Sequence, residues 1–227
     1  MDKERGQICA EGLTFFGRTN RFISHELKNI LAIISETLGL IDELMELAGS
    51  GRELEPGKLR SLSKSVIEEV ERANGIIKSM NSFGHSVDEL VSMVDIEQTL
   101  NLMIGLLRLD PASRDKEVII LTSETNTVYS SPFFMGNLLY RLLDYSLQNA
   151  GPEKKISISI NPKTGGTKMI FSGLVKKKEL SLSTNTEILA GAISAAISCD
   201  DVAGEIYLDL PGSMEGSLIN ELFAPSS

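Results

Sequence analysis

Cysteine occurs only twice in the 227 residues, as Cys9 and Cys199, which lie far apart and have neither a Cys-x-x-Cys partner nor a histidine cluster beside them. That scarcity excludes a disulfide scaffold and a cysteine-rich metal site, and it predicts two reduced thiols in a cytoplasmic protein. No apolar run approaches the ~18 residues of a membrane span. The charged start, Met1 to Arg5, is followed by no apolar core of the secretory kind. Positive charge is in deficit, with 22 Lys and Arg against 31 Asp and Glu and a net charge of -9, which disfavours a nucleic-acid binder. The composition, 42% hydrophobic and 23% charged, is neither disordered nor collagen-like, and the length allows one or two domains.

Proline is missing from Ile8 to Ala48, and in that stretch Leu13, Phe16, Ile23, Leu27, Ile30, Leu31, Ile34, Leu38, Ile41, Met45 and Ala48 fall on one helical stripe. The run from Gly49 to Gly57 breaks the pattern. Beyond it Leu59, Leu62, Val66, Val70, Ala73, Ile77 and Met80 form a second stripe. Two antiparallel helices joined by a short loop are predicted. A lone hairpin leaves both stripes half covered, so two copies are expected to pair as a four-helix bundle, a homodimer through the first ~85 residues. The alternative is that the hairpin packs on its own C-terminal domain.

After Phe83-Gly84-His85-Ser86 the pattern changes. A helix near Ile96 to Leu109, a strand from Glu117 to Thr122 and a helix from about Pro132 to Asn149 are expected. Lys155 to Ile160 alternates with period two, as does much of Lys168 to Phe171, and Gly165-Gly166 between them reads as a hairpin turn. A helix from Thr186 to Ser198 and closing strands Gly204 to Leu210 and Ser217 to Leu222 complete the reading. The interleaving predicts an α/β sandwich with a mainly antiparallel or mixed sheet. The fold class is therefore α plus α/β, with a helical hairpin over residues 1–88 and the sandwich over 89–227.

His25 is one of two histidines and lies almost opposite the centre of the first apolar stripe, on a face shared with Arg18, Arg21, Lys28 and Ala32. An exposed imidazole on a rigid helix can attack a phosphoryl group, and nearby cations help hold its anionic oxygens. Glu26 could keep one ring nitrogen as N–H and leave the other free to attack. Asn29, one turn on, is close enough to orient a water or a phosphoryl oxygen. From position alone a solvated surface histidine is the simpler reading.

The string Phe22-Ile23-Ser24-His25-Glu26-Leu27-Lys28-Asn29, with Leu31 beyond it, changes that balance. It resembles the phosphoacceptor box of two-component sensor histidine kinases, roughly F-x-S-H-E-L-K/R-N/T-P-L, with Ile30 where proline usually stands. The resemblance implies that His25 carries the phosphoryl group, that Glu26 is its acid/base neighbour and that Asn29 positions water when a response regulator is dephosphorylated. Without the proline the helix is expected to run straighter below His25.

The resemblance continues through Ser130-Ser131-Pro132 and Leu138-Leu139-Tyr140-Arg141-Leu142-Leu143, which look like the start of the family's ATP-binding helix. Working kinases carry two asparagines there, but the matching positions are Arg141 and Tyr145, and neither replaces an amide as a neutral metal ligand. Asn137 and Asn149 lie in the wrong register to take over. The D-x-G-x-G box is replaced by Phe171-Ser172-Gly173-Leu174-Val175-Lys176, without an aspartate. The later G-x-G-x-G phosphate cradle is replaced by Leu182-Ser183-Thr184-Asn185. The basic run Lys176-Lys177-Lys178 reads as a solvated loop.

A phosphoacceptor hairpin on a degenerate kinase-like domain is similar to the dimeric histidine phosphotransferases of bacterial phosphorelays. That resemblance implies phosphoryl transfer between His25 and receiver-domain aspartates without ATP, with no cofactor of its own and with Mg2+ held by the partner receiver. A response-regulator receiver domain is the expected partner. Alternative readings are a divergent but active kinase, a receiver phosphatase using Asn29, and a pseudokinase binding module.

Overall fold

The computed structural model describes residues 2–122, 126–176, 179–213 and 219. The proline-free run is one long helix, α1 (Asp2–Gly49), and the second stripe is α2 (Pro56–His85). Between them Gly51 takes φ +94, a left-handed turn that favours glycine. The chain divides into two compact units, Thr19–Ser82 and a second made of Met1–Arg18 with Phe83–Ser227.

In the first unit the hairpin buries Ile23 and Ile30 of α1 and Ile76 of α2. The stripes are wider than this seam. Leu31, Leu38 and Met45, seven residues apart on α1, stay 61%, 51% and 55% exposed, and Ile67, Val70 and Ile77 of α2 are exposed as well. Seven residues is two helical turns, so the three α1 side chains form a narrow row of their own.

The second unit is built on a five-stranded sheet. Its strands are β2 (Glu117–Leu121), β4 (Lys155–Lys163), β5 (Gly166–Ser172), β6 (Ala196–Asp200) and β7 (Glu205–Pro211), in the order β2-β4-β5-β7-β6. Only β2 and β4 run parallel, so the sheet is mixed and mainly antiparallel. Two short strands, β1 (Ser92–Asp95) and β3 (Thr127–Ser130), form a separate antiparallel ribbon. The helices are α3 (Ile96–Leu107), α4 (Pro132–Gln148) and α5 (Thr184–Ala192), with a 3-10 turn at Pro111–Ser113.

Period-two alternation determines which face is buried. Ile158, Phe171 and Ile206 lie side by side across three strands, as do Ile160, Met169 and Leu208. All six are at most 2% exposed. The α4 side chains Leu138, Leu139, Leu142 and Leu143 are completely buried, and the helix packs on α3, α5 and β4. Burying one such side chain contributes roughly 1.5–3 kcal/mol, so this helix-on-sheet layer is the main core.

A hairpin turn joins β4 and β5 as expected, but it falls on Thr164-Gly165, with Gly166 opening β5 opposite Lys163. Gly173, with φ +98, sits so close to the Lys155 carbonyl that a Cβ would lie 2.4 Å from its oxygen. A backbone requirement therefore explains this lone glycine.

One expected element is corrected. The helix expected from Thr186 to Ser198 stops at Ala192, and Ala196–Asp200 is an edge strand paired with β7. Ser194 takes φ +57, its N–H bonds the Gly191 carbonyl at 3.0 Å, and the Ala195 N–H bonds the Ala190 carbonyl at 2.8 Å. This is a Schellman stop with serine where glycine is usual. The closing strand expected from Ser217 to Leu222 lies outside the described residues except at Ile219, which is helical.

Candidate functional site

The α1 helix carries His25 on its exposed face and turns Glu26, one residue on, inward. Successive residues on a helix differ by about 100° in direction, which is why neighbours in sequence have such different surroundings. Asn29 returns to the face of His25, and its Nδ2 lies 3.2 Å from His25 Nδ1 and 3.3 Å from Glu26 Oε2. The three residues named by the sequence box therefore meet around one amide group.

Glu26 is only 3% exposed, and its Oε1 is bound by the guanidinium of Arg72 on α2. Arg72 also donates to Glu69 Oε2 at 3.1 Å. A carboxylate this buried needs a charge partner, and Arg72 supplies one from the facing helix. The sequence reading missed Arg72, which lies 46 residues from Glu26 with no motif around it. One turn before His25 on α1, the Arg21 guanidinium stands 5.8 Å from the Phe22 ring centroid. An exposed imidazole, an amide within hydrogen-bond reach and a cation one turn before it can accept a phosphoryl group and steady its oxygens.

A second feature lies wholly in the other unit. A cleft of about 200 Å³ is lined by Thr14, Arg18, Asn137, Arg141, Tyr145 and Thr186 among others. Arg141 and Tyr145 are the positions where the family resemblance would place asparagines. Arg141 donates to Asn137 Oδ1 at 3.1 Å and pairs with Glu11 of α1, whose other oxygen accepts from Asn185 at the start of α5. Asn137 is completely buried, and Asn149 donates to the Tyr145 carbonyl at 2.9 Å. Arg18 pairs with Asp144 at 3.7 Å, and its guanidinium lies 5.7 Å from the Tyr140 ring centroid.

An aromatic group of Phe15, Phe83, Phe133 and Tyr140, with ring centroids 5.2 to 6.3 Å apart, packs the first turns of α1 on α4. Burial pushes the Tyr140 phenol up to about 12, with Arg18 acting against the shift. Burial also raises Tyr145 and the Cys199 thiol, so Cys199 is not an activated thiolate. The Arg141 guanidinium is already joined to the Glu11 carboxylate. Glu11 gave no signal in the sequence, for it lies 130 residues from Arg141.

Among the described residues no helix is long and apolar enough to cross a membrane. No family model matches the sequence, and no curated protein matches it. Solved structures do resemble the fold. One described as a bacterial phosphotransferase aligns over 87% of this chain and 95% of its own, with a TM-score of 0.51 and 11% identity. The Acinetobacter baumannii histidine kinase AdeS aligns over 83% of this chain and 98% of its own, at 0.43 and 12%. The ATP-binding domain of PrrB from Mycobacterium tuberculosis aligns over 55% of this chain and 98% of its own, at 0.42 and 16%. What is shared with that phosphotransferase structure is the fold, a helical hairpin followed by an α/β domain.

Proposed function

Taking the two-component histidine-kinase-like fold as the premise, we propose that this chain is a histidine phosphotransferase that carries a phosphoryl group on His25 between receiver-domain aspartates and uses no ATP of its own. The observation that carries the reading is the pairing of an exposed His25, held by Asn29 on a rigid helix, with a cleft in which Arg141, where the resemblance would place an asparagine, is tied to Glu11. In this reading the phosphoacceptor is kept while the site for its usual donor carries an ion pair in place of an amide.

In this reading the neutral imidazole attacks the phosphorus of a receiver's acyl phosphate. The N–P bond forms as the P–O bond to the aspartate breaks, and the departing carboxylate stays with the receiver. The return step reverses this. Mg2+ belongs to the receiver, where it offsets charge on the phosphoryl oxygens. Two copies pair through the rows at Leu31, Leu38 and Met45, completing a four-helix bundle that presents His25 to the receiver.

The test is to mix the protein with a labelled, purified phosphoreceiver and no nucleotide, comparing wild type with His25→Gln. Acid-labile label in the wild type alone is expected. In parallel, ATP with magnesium is expected to leave the melting temperature unchanged. Equal labelling of both proteins, or nucleotide-dependent stabilisation with labelling from ATP, would overturn the reading.

A further inference from the structure

Two acceptors compete for the same amide. Glu26 Oε2 and His25 Nδ1 lie 3.3 and 3.2 Å from Asn29 Nδ2. A carboxylate oxygen accepts and does not donate, so Asn29 must turn its NH2, not its carbonyl, toward Glu26. The same NH2 then donates its second hydrogen to His25 Nδ1. In a neutral imidazole this commits the lone pair to Nδ1 and the ring proton to Nε2. The orientation is anchored from the other helix, because Arg72 binds the remaining oxygen of Glu26 and is braced by Glu69.

We infer that Arg72 is a positioning residue that acts through Glu26 and Asn29 to select the tautomer of His25 and mask its nucleophilic lone pair. The inference rests on His25 being the phosphoryl carrier. In the resting arrangement Nδ1 is covered by Asn29, and Nε2 bears a hydrogen. Attack through Nε2 requires the proton on Nδ1, where the Asn29 NH2 stands, so Asn29 must let go before the group is accepted. A docking receiver that draws Asn29 away would release the brake. The network thus limits modification of His25 in the absence of a partner.

Without the guanidinium, the Glu26 carboxylate loses the cation that neutralises it and shifts toward water, which loosens its hold on Asn29. One hydrogen bond of this kind changes a population about fivefold, which sets the expected effect.

Phosphoramidate, a small donor that needs no partner, tests this directly. The His25 lone pair attacks its phosphorus, the P–N bond of the donor breaks, ammonia leaves with that electron pair, and the proton on the other ring nitrogen passes to solvent. His85, exposed and 2.7 Å from Asp88, is labelled in the same sample and reports donor concentration, while the melting temperature of each variant reports folding. Relative to His85, the Asn29→Ala protein is expected to label His25 about fivefold faster than wild type. Arg72→Met is expected to move the same way, Arg72→Lys to stay near wild type, and the Asn29→Ala, Arg72→Met double variant to be no faster than Asn29→Ala alone.

An unchanged rate in Arg72→Met, or an Arg72→Met effect that persists in full on the Asn29→Ala background, would overturn the inference. Transfer from a phosphoreceiver is measured separately. Failure there would overturn the carrier role, whereas failure in the phosphoramidate series would remove only the role of Arg72.

Discussion

Replacing Leu38 by alanine tests the pairing of two hairpins. Leu38 is 51% exposed in the single chain, so about half of its surface remains to be covered by a partner. Full burial of a leucine is worth about 1.5–3 kcal/mol, which leaves ~1 kcal/mol for each copy. A two-fold dimer carries the substitution twice, so the loss is ~2 kcal/mol, and at 1.4 kcal/mol per decade the dissociation constant rises about 30-fold. Sedimentation equilibrium over a range of concentrations reads this directly. Ile76→Ala is the control, because Ile76 is already 8% exposed within its own hairpin and its loss should lower the melting temperature more than it weakens association. A wild type that stays monomeric, or a Leu38→Ala protein that associates as tightly as wild type, would refute the pairing.

Two further outcomes follow from the second unit. Phe171 is completely buried in the middle of the sheet, so Phe171→Ala is expected to cost about 3–5 kcal/mol in denaturant unfolding. Tyr140 titrates near 10 when unfolded and about 12 when folded. Its contribution is therefore fully present below pH 10 and is lost as the pH rises toward 12. Tyr207, raised to about 12 mainly by donating to Glu205, adds to the same window. Thermal melts between pH 9 and 12, a range of about three units set by these values, are expected to show a shallower fall for Tyr140→Phe than for wild type.

Local periodicity made most of the fold legible. The α1 and α2 stripes, the apolar α4 and the alternating β4 and β5 each announce their element within a few turns or residues. The misplaced end of α5 has a local cause too, since the left-handed stop falls on Ser194 and not on a glycine. The four-residue strands β1 and β3 are too short to establish a period, and each needs the other for its hydrogen bonds. Around His25 the motif named the residues, but the link from Glu26 to Arg72 exists only once two helices meet. The same is true of Glu11 and Arg141, which no pattern connects until α1 lies against α4. Sequence periodicity reports which face a residue occupies, whereas ion pairs across elements depend on the packing.

The return half of the transfer bears most directly on the central claim. Protein labelled on His25 by a phosphoreceiver is freed of donor and nucleotide, then mixed with a fresh, unphosphorylated receiver and magnesium. The account predicts that label leaves His25 and appears on the receiver as aspartyl phosphate, and that a receiver lacking its acceptor aspartate takes none. Label that stays on the protein, or that is released only as inorganic phosphate, would contradict it.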